Sequence, residues 1–212
     1  MEARIAELGM KRLENAAVAL RANNFSAQVH ASGAEASAAL LKLAGSGKKI
    51  GVGGSMTVAS LGLPAALEKA GNTIVTHSHG MGAEERRAVW LAAQASDIYL
   101  ASPQAVTLDG KLLFVDANGN RGAAVIYGPR KIVLLAGVNK LARDEEHGLW
   151  RARNVAAIAN NLRLSKDNPC VKAGRCVDCA SPSRICNQVT TLWKRPRSSD
   201  ILVMLINEEL GY

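Results

Sequence analysis

Aromatic side chains make up only 4% of this 212-residue chain, and cysteine occurs four times. So few rings leave little material for stacking on nucleobases, which puts nucleic acid behind small molecules as the expected partner. No apolar stretch approaches the roughly 18–20 residues needed to cross a bilayer, so no membrane span is expected. The opening Met1-Glu-Ala-Arg-Ile-Ala-Glu-Leu8 is charged and amphipathic and lacks the apolar core of a secretory leader. A soluble, cytoplasmic protein follows as the expectation. Nucleotide motifs are missing too. Gly51-Val-Gly-Gly-Ser-Met-Thr57 lacks the third glycine of a dinucleotide fingerprint and the Lys-Ser/Thr pair of a P-loop. No flavin signature, internal repeat or low-complexity tract is visible.

What is present reads as one α/β domain over residues 1–212. Ile5, Leu8, Leu13, Ala16, Ala17 and Leu20 fall on one helical face, and Phe25 to Ala31 alternates like a strand. Glu35 to Ala44 reads as a helix with Leu40, Leu41 and Leu43 inward. Lys49–Val52, Asn72–Thr76 and Asp97–Ala101 read as strands. Between them lie a helix broken at Leu63-Pro64 and a second helix over Ala83–Ala95. This alternation predicts a Rossmann-like, mostly parallel sheet covered by helices on both faces. Three apolar runs follow, Leu112–Val115, Ala123–Tyr127 and Lys131–Leu135, with Asp109-Gly110 and Asn118-Gly119 as tight turns. Arg143–Asn161 is helical, and Ile201–Ile206 is a fully buried last strand. The three tryptophans, Trp90, Trp150 and Trp193, are expected in core or rim packing.

The cysteines cluster. Cys170, Cys176, Cys179 and Cys186 have the spacing Cys-x5-Cys-x2-Cys-x6-Cys, and the two-residue gap lets two sulfurs face one metal. Pro169, Gly174 and Pro182 are expected to hold this segment out of regular helix so that it can wrap a centre. Irregular spacing with one close pair favours a [4Fe–4S] cluster, with zinc as the alternative. All four cysteines can bind, or one iron can stay open. The net charge is +8, of which residues 166–197, the metal-binding segment inserted before the last strand, supply +5 through seven basic residues and two acidic ones. A four-thiolate centre carries a charge of about −2, which gives these cations a local purpose.

Three loops suggest an anion site. Gly53, Gly54, Ser55 and Thr57 follow a strand and open a helix, a turn that presents N–H groups and hydroxyls to a phosphate or carboxylate. Asp116-Ala-Asn118-Gly-Asn120-Arg121 brings together two amides and a guanidinium suited to a carboxylate. Asn139 and Lys140 end another strand, and ligands of open α/β sheets bind beyond strand C-termini. Asp109, Asp116 and Lys140 are the acid–base candidates. His77-Ser78-His79 lacks a third ligand and is set aside. Glu84-Glu85-Arg86-Arg87 reads as a helix start.

The order of motifs resembles the LUD-domain (lactate utilisation, YkgG-like) family. It runs Gly53-Gly-Ser-Met-Thr57, Ala105-Val-Thr-Leu-Asp-Gly-Lys-Leu112, Gly119-Asn-Arg-Gly-Ala-Ala124, Gly128-Pro-Arg-Lys-Ile-Val133 and Ala136-Gly-Val-Asn-Lys140. Arg151–Asn160 and the closing Leu205-Ile-Asn-Glu-Glu-Leu-Gly-Tyr212 fit as well. The likeness runs from about residue 20 to the end, and the cysteine motif resembles that of one subgroup. It implies a fold akin to 5-formyltetrahydrofolate cyclo-ligase and the sugar-phosphate isomerase/CoA-transferase (NagB-RpiA) group. It also implies a link to iron–sulfur-dependent oxidation of lactate.

The leading expectation is therefore an iron–sulfur component of a 2-hydroxyacid or related small-carboxylate oxidation system, an oxidoreductase or oxidoreductase subunit. Its ligand is a small carboxylate or phosphorylated small molecule, and redox partner subunits complete the reaction. A homo-oligomer is compatible with this. The alternatives are a self-contained isomerase, lyase or acyl-group transferase with a structural zinc, and a non-catalytic ligand- or nucleic-acid-binding protein.

Overall fold

The computed structural model describes residues 3–78 and 80–212. It opens with α1 (Ala3–Ala22), which buries Leu13, Ala16, Ala17 and Leu20 at helical spacing. Ile5 and Leu8, expected on the same face, are exposed, because burial along the helix begins only at Gly9. β1 (Ser26–His30), α2 (Gly33–Ala44), β2 (Lys49–Val52), α3 (Met56–Ser60) and α4 (Leu63–Lys69) follow. Ser32 caps α2 by accepting from the Glu35 N–H, while the Glu35 carboxylate accepts from the Ala31 N–H. Leu40 of α2 is buried, whereas Leu43 lies on the exposed side. Pro64 starts α4 within its first turn, and the break that precedes it falls at Leu61-Gly62. Next come β3 (Thr73–Val75), α5 (Ala83–Gln94) and β4 (Ile98–Ala101).

The chain then leaves the main sheet for β5 (Ala105–Thr107) and β6 (Leu112–Asp116). Ala123–Tyr127, expected as a strand, belongs to a helix, α6 (Asn120–Tyr127). Gly119 at φ 75° turns the chain, and Asp116 Oδ2 accepts from the Gly122 N–H, so the turn after β6 starts a helix instead of a hairpin. β7 (Lys131–Gly137) rejoins the main sheet and ends in a 3-10 turn, Val138–Lys140. β8 (Leu141–Ala142), α7 (Glu145–Arg151), a π-helical turn (Ala152–Ala156) and α8 (Ala157–Arg163) come next. In the cysteine segment, Pro169 sits at the first position of a one-turn helix, α9 (Pro169–Ala173), where its missing N–H costs nothing. β9 (Gln188–Leu192) precedes the closing strand, β10 (Asp200–Ile206). β9 is invisible to periodicity, since only Leu192 in it is buried.

Six parallel strands form the main sheet in the order β1-β10-β7-β4-β2-β3. Strand alternation splits the core in two. Ile132, Leu134, Val203 and Leu205 face a cluster with Leu13 and Leu20 of α1. Val133, Leu135, Leu202 and Met204 face Leu40 of α2 and Leu63 and Leu67 of α4. β10 lies between β1 and β7, covered on both faces, which explains its unbroken apolar run. This is the expected Rossmann-like α/β architecture. A second, four-stranded sheet, β8-β5-β6-β9, adds Val106, Phe114 and Leu192 to the α1 side. No helix is long and apolar enough to cross a membrane among the described residues.

Candidate functional site

Parallel strands all end at one edge, and here that edge opens into a cavity of about 820 Å³. Gly53–Thr57 after β2, Thr76–Ser78 after β3, Ser102–Gln104 after β4 and Lys140 after β7 contribute to its walls. Asp116, Asn118, Asn120 and Arg121 close one side, and Ala152, Ala156 and Asn160 another. Pro182, Ser183, Arg184 and Ile185 of the cysteine segment complete it. The anion loops and the cysteine segment thus border one space.

The glycine turn is forced by crowding. A Cβ on Gly53 would collide with the Tyr99 hydroxyl and with Arg121 Cγ. Gly54 has φ 72°, and a Cβ there would sit 2.8 Å from His77 Cε1. Ser55 Oγ caps α3 by accepting from the Val58 N–H, and Thr57 Oγ1 donates to Leu210 O. Both hydroxyls therefore have structural partners. Burial holds Tyr99 well above the usual phenol range, so it stays neutral.

Arg121, in the first turn of α6, is positioned by Asp116. Its Nε donates to Asp116 Oδ1 at 2.7 Å and its Nη2 to Val115 O at 2.6 Å. Nη1 has only a long 3.5 Å contact to Ser102 O, which leaves donor capacity for a ligand. Lys140 is 4% exposed, and its Nζ donates to Ser102 Oγ at 2.7 Å. Desolvation, with the nearby Arg151 and Arg121 charges, lowers its pKa to about 7. Arg151, also buried, donates to Asn139 O and Gln104 O, and burial lowers its pKa to about 10. Among the described residues, neither Lys140 nor Arg151 pairs with a carboxylate. The walls carry six basic side chains (Arg86, Arg121, Lys140, Arg163, Lys166, Arg184) against one acidic one, Asp116. Such a space selects anions.

Two expected residues lie elsewhere. Asn139 pins the C-terminal tail, its Nδ2 donating to Gly211 O and its Oδ1 accepting from the Leu210 N–H. Asp109 sits in the β5–β6 turn with Thr107 and Lys111, which hold its carboxyl below the usual range against the opposing pull of desolvation. Of the histidine pair, His77 lines the cavity and accepts from Trp90 Nε1 at 3.2 Å. His79 lies outside the described residues. Trp90 belongs to the cavity wall under Arg86, and Trp150 and Trp193 are exposed. Sequence reasoning missed Ser102, Arg151 and Arg163. Ser102 follows directly on a strand whose end faces the site, which is the one signal that marked it.

The cysteine segment is laced to the π turn and to α8. The Cys176 N–H donates to Asn154 Oδ1 of the π turn, and Asn168 Nδ2 donates to Asn161 Oδ1 of α8 and to Ser183 O. Asp178 takes a left-handed φ of 47° between Cys176 and Cys179, and Arg153 and Arg184 both donate to its Oδ1. Arg184 also donates to the carbonyls of Cys179 and Cys186. Burial pushes the Cys186 thiol up, Arg184 opposes this, and the neighbouring Cys176 and Cys179 add to the rise. Cys176 and Cys179 thus both lie within electrostatic reach of Cys186. Cys170 is buried on α9, its sulfur accepting from Asn161 Nδ2 at 3.5 Å. All four are free thiols, and no three candidate ligands stand in single-ion geometry among the described residues. A tightly wound loop of soft donors with an arginine beside them suits a thiolate-bound metal or cluster in donor type and charge.

The sequence profile of the LUD domain matches residues 13–206. The chain belongs to the LUD domain family. Within the LUD fold, the matched stretch carries the whole cavity edge of the sheet and the four cysteines. A crystal structure of a DUF162 family protein from Deinococcus radiodurans is similar to this LUD chain. It aligns at a TM-score of 0.51 over 95% of this chain and 98% of that one, at 13% identity. That likeness is one of fold. No curated protein matches the chain.

Proposed function

We propose that this LUD chain binds a small carboxylate of the 2-hydroxyacid class, and that its cysteine segment holds an iron–sulfur cluster beside that ligand. The observation that carries the reading is that Arg121, Lys140 and residues 182–185 of the cysteine segment all line the same cavity. Arg121, fixed by Asp116, orients the carboxylate through its spare Nη1. Lys140, with a pKa of about 7, takes the hydroxyl proton. The arginines of the wall hold the charge, and the volume leaves room for a larger or phosphorylated acid than lactate. Cys176, Cys179 and Cys186 would be the cluster's ligands, with Cys170 as the fourth or with one iron open. When bound, such a cluster supplies one-electron transfer. The two-electron step, with removal of the Cα hydrogen, would fall to redox partner subunits, between which the cluster would relay single electrons.

A second reading, non-redox carbonyl or acyl chemistry with a structural zinc, is favoured by the unpaired, readily deprotonated Lys140. Metal content separates the two. Protein purified without oxygen is expected to be brown, with iron and sulfide in comparable amounts, and Cys176→Ser is expected to lose most of both. Colourless protein carrying one zinc would contradict the cluster.

A further inference from the structure

We propose that Lys140 is an imine-forming lysine that takes the carbonyl carbon of a 2-oxo carboxylate, with Arg121 holding the carboxylate and Ser102 holding the amine. This deepens the reading above and rests on a carboxylate occupying the same cavity. Three observations carry it. First, Lys140 lines the cavity wall yet is 4% exposed, and Ser102, to which its amine donates, lines the same wall. Second, among the described residues its one hydrogen-bond partner is the Ser102 hydroxyl, and the charged groups beside it are the guanidiniums of Arg121 and Arg151. A buried ammonium with no carboxylate beside it among the described residues is costly, so the neutral amine, the nucleophilic form, is readily reached near neutral pH. Third, Arg121 reaches the carbonyl of the same Ser102 through Nη1, which puts a carboxylate receptor next to the amine.

Electrostatic holding of an anion by a protonated Lys140 is the rival role. It would call for an ammonium at neutral pH, which burial and the two guanidiniums oppose. In the step proposed, the nitrogen lone pair adds to the carbonyl carbon and the former carbonyl oxygen becomes a hydroxyl. That oxygen then leaves as water with protons from the amine and solvent. A C=N bond replaces the C=O bond, nothing is oxidised or reduced, and no co-reactant is needed.

The test uses the full chain at pH 7 with pyruvate and cyanoborohydride, which reduces the imine to a stable secondary amine. Peptide mass spectrometry locates the adduct, and calorimetry in parallel measures pyruvate binding. Lys140 is expected to be labelled about tenfold or more over the exposed Lys42. Binding without preferential label at Lys140 overturns the imine and leaves the carboxylate site standing. Absence of both binding and label overturns the two together.

Discussion

Replacing Asp116 by alanine is expected to cost about 3–5 kcal/mol of folding stability, the range for removing one partner of a buried ion pair. The carboxylate is 5% exposed and the Arg121 side chain 15% exposed. Oδ1 accepts from Arg121 Nε and Oδ2 from the Gly122 N–H, so one group both neutralises the guanidinium and ties down the start of α6. Without it, Arg121 and Lys140 share a cavity with no other acidic side chain among the described residues. Asp116→Asn keeps an acceptor for one of the two donors and loses the charge, and should lose less than alanine. Urea midpoints for the three proteins check the order wild type, Asn, Ala. Equal midpoints for wild type and alanine would show that the pair is not a support.

Lys140→Met should act in the opposite direction and stabilise the protein at neutral pH by a few kcal/mol, each unit of pKa shift being worth about 1.4 kcal/mol. Lys140 binds its proton more weakly folded, near 7, than unfolded, near 10.5. Between those values the unfolded chain carries the extra proton, so wild-type stability rises with pH. The penalty is complete below about pH 7 and is gone above about 10.5. Methionine removes it while filling similar space beside Ser102. Urea unfolding of both proteins at pH 7 and pH 10 checks this: the variant leads at pH 7 and the lead narrows at pH 10. A lead that widens with pH, or none at pH 7, would contradict a buried, unpaired Lys140.

The strands of the main sheet were legible because parallel strands covered on both faces are continuous apolar runs. Ile201–Ile206 and Lys131–Leu135 are the clearest cases, and they lie side by side. The second sheet was not. β9 buries one residue in five and pairs with a strand more than seventy positions earlier, a contact that no local pattern encodes. Ala123–Tyr127 misled because five residues are too few to separate a strand from a helix. The deciding contact, Asp116 to the Gly122 N–H, is a side-chain cap. At the site, residues at strand ends were legible because topology alone brings them together: Gly53, Arg121 and Lys140 all reach the cavity. Ser102 and Arg151 act through burial, which a sequence does not display. Asn139 carries a polar side chain at a strand end like the others, but the returning C-terminal tail claims it.

A basic sheet edge and residues 182–185 of the cysteine segment line one cavity. The most direct test is electron paramagnetic resonance of the reduced, anaerobically prepared protein, with and without saturating lactate or another 2-hydroxyacid. The prediction is an iron–sulfur signal whose shape or field positions change when the acid binds, with the change lost in Arg121→Gln. A signal unchanged at saturation, or no iron–sulfur signal at all, would contradict a carboxylate and a cluster sharing that space.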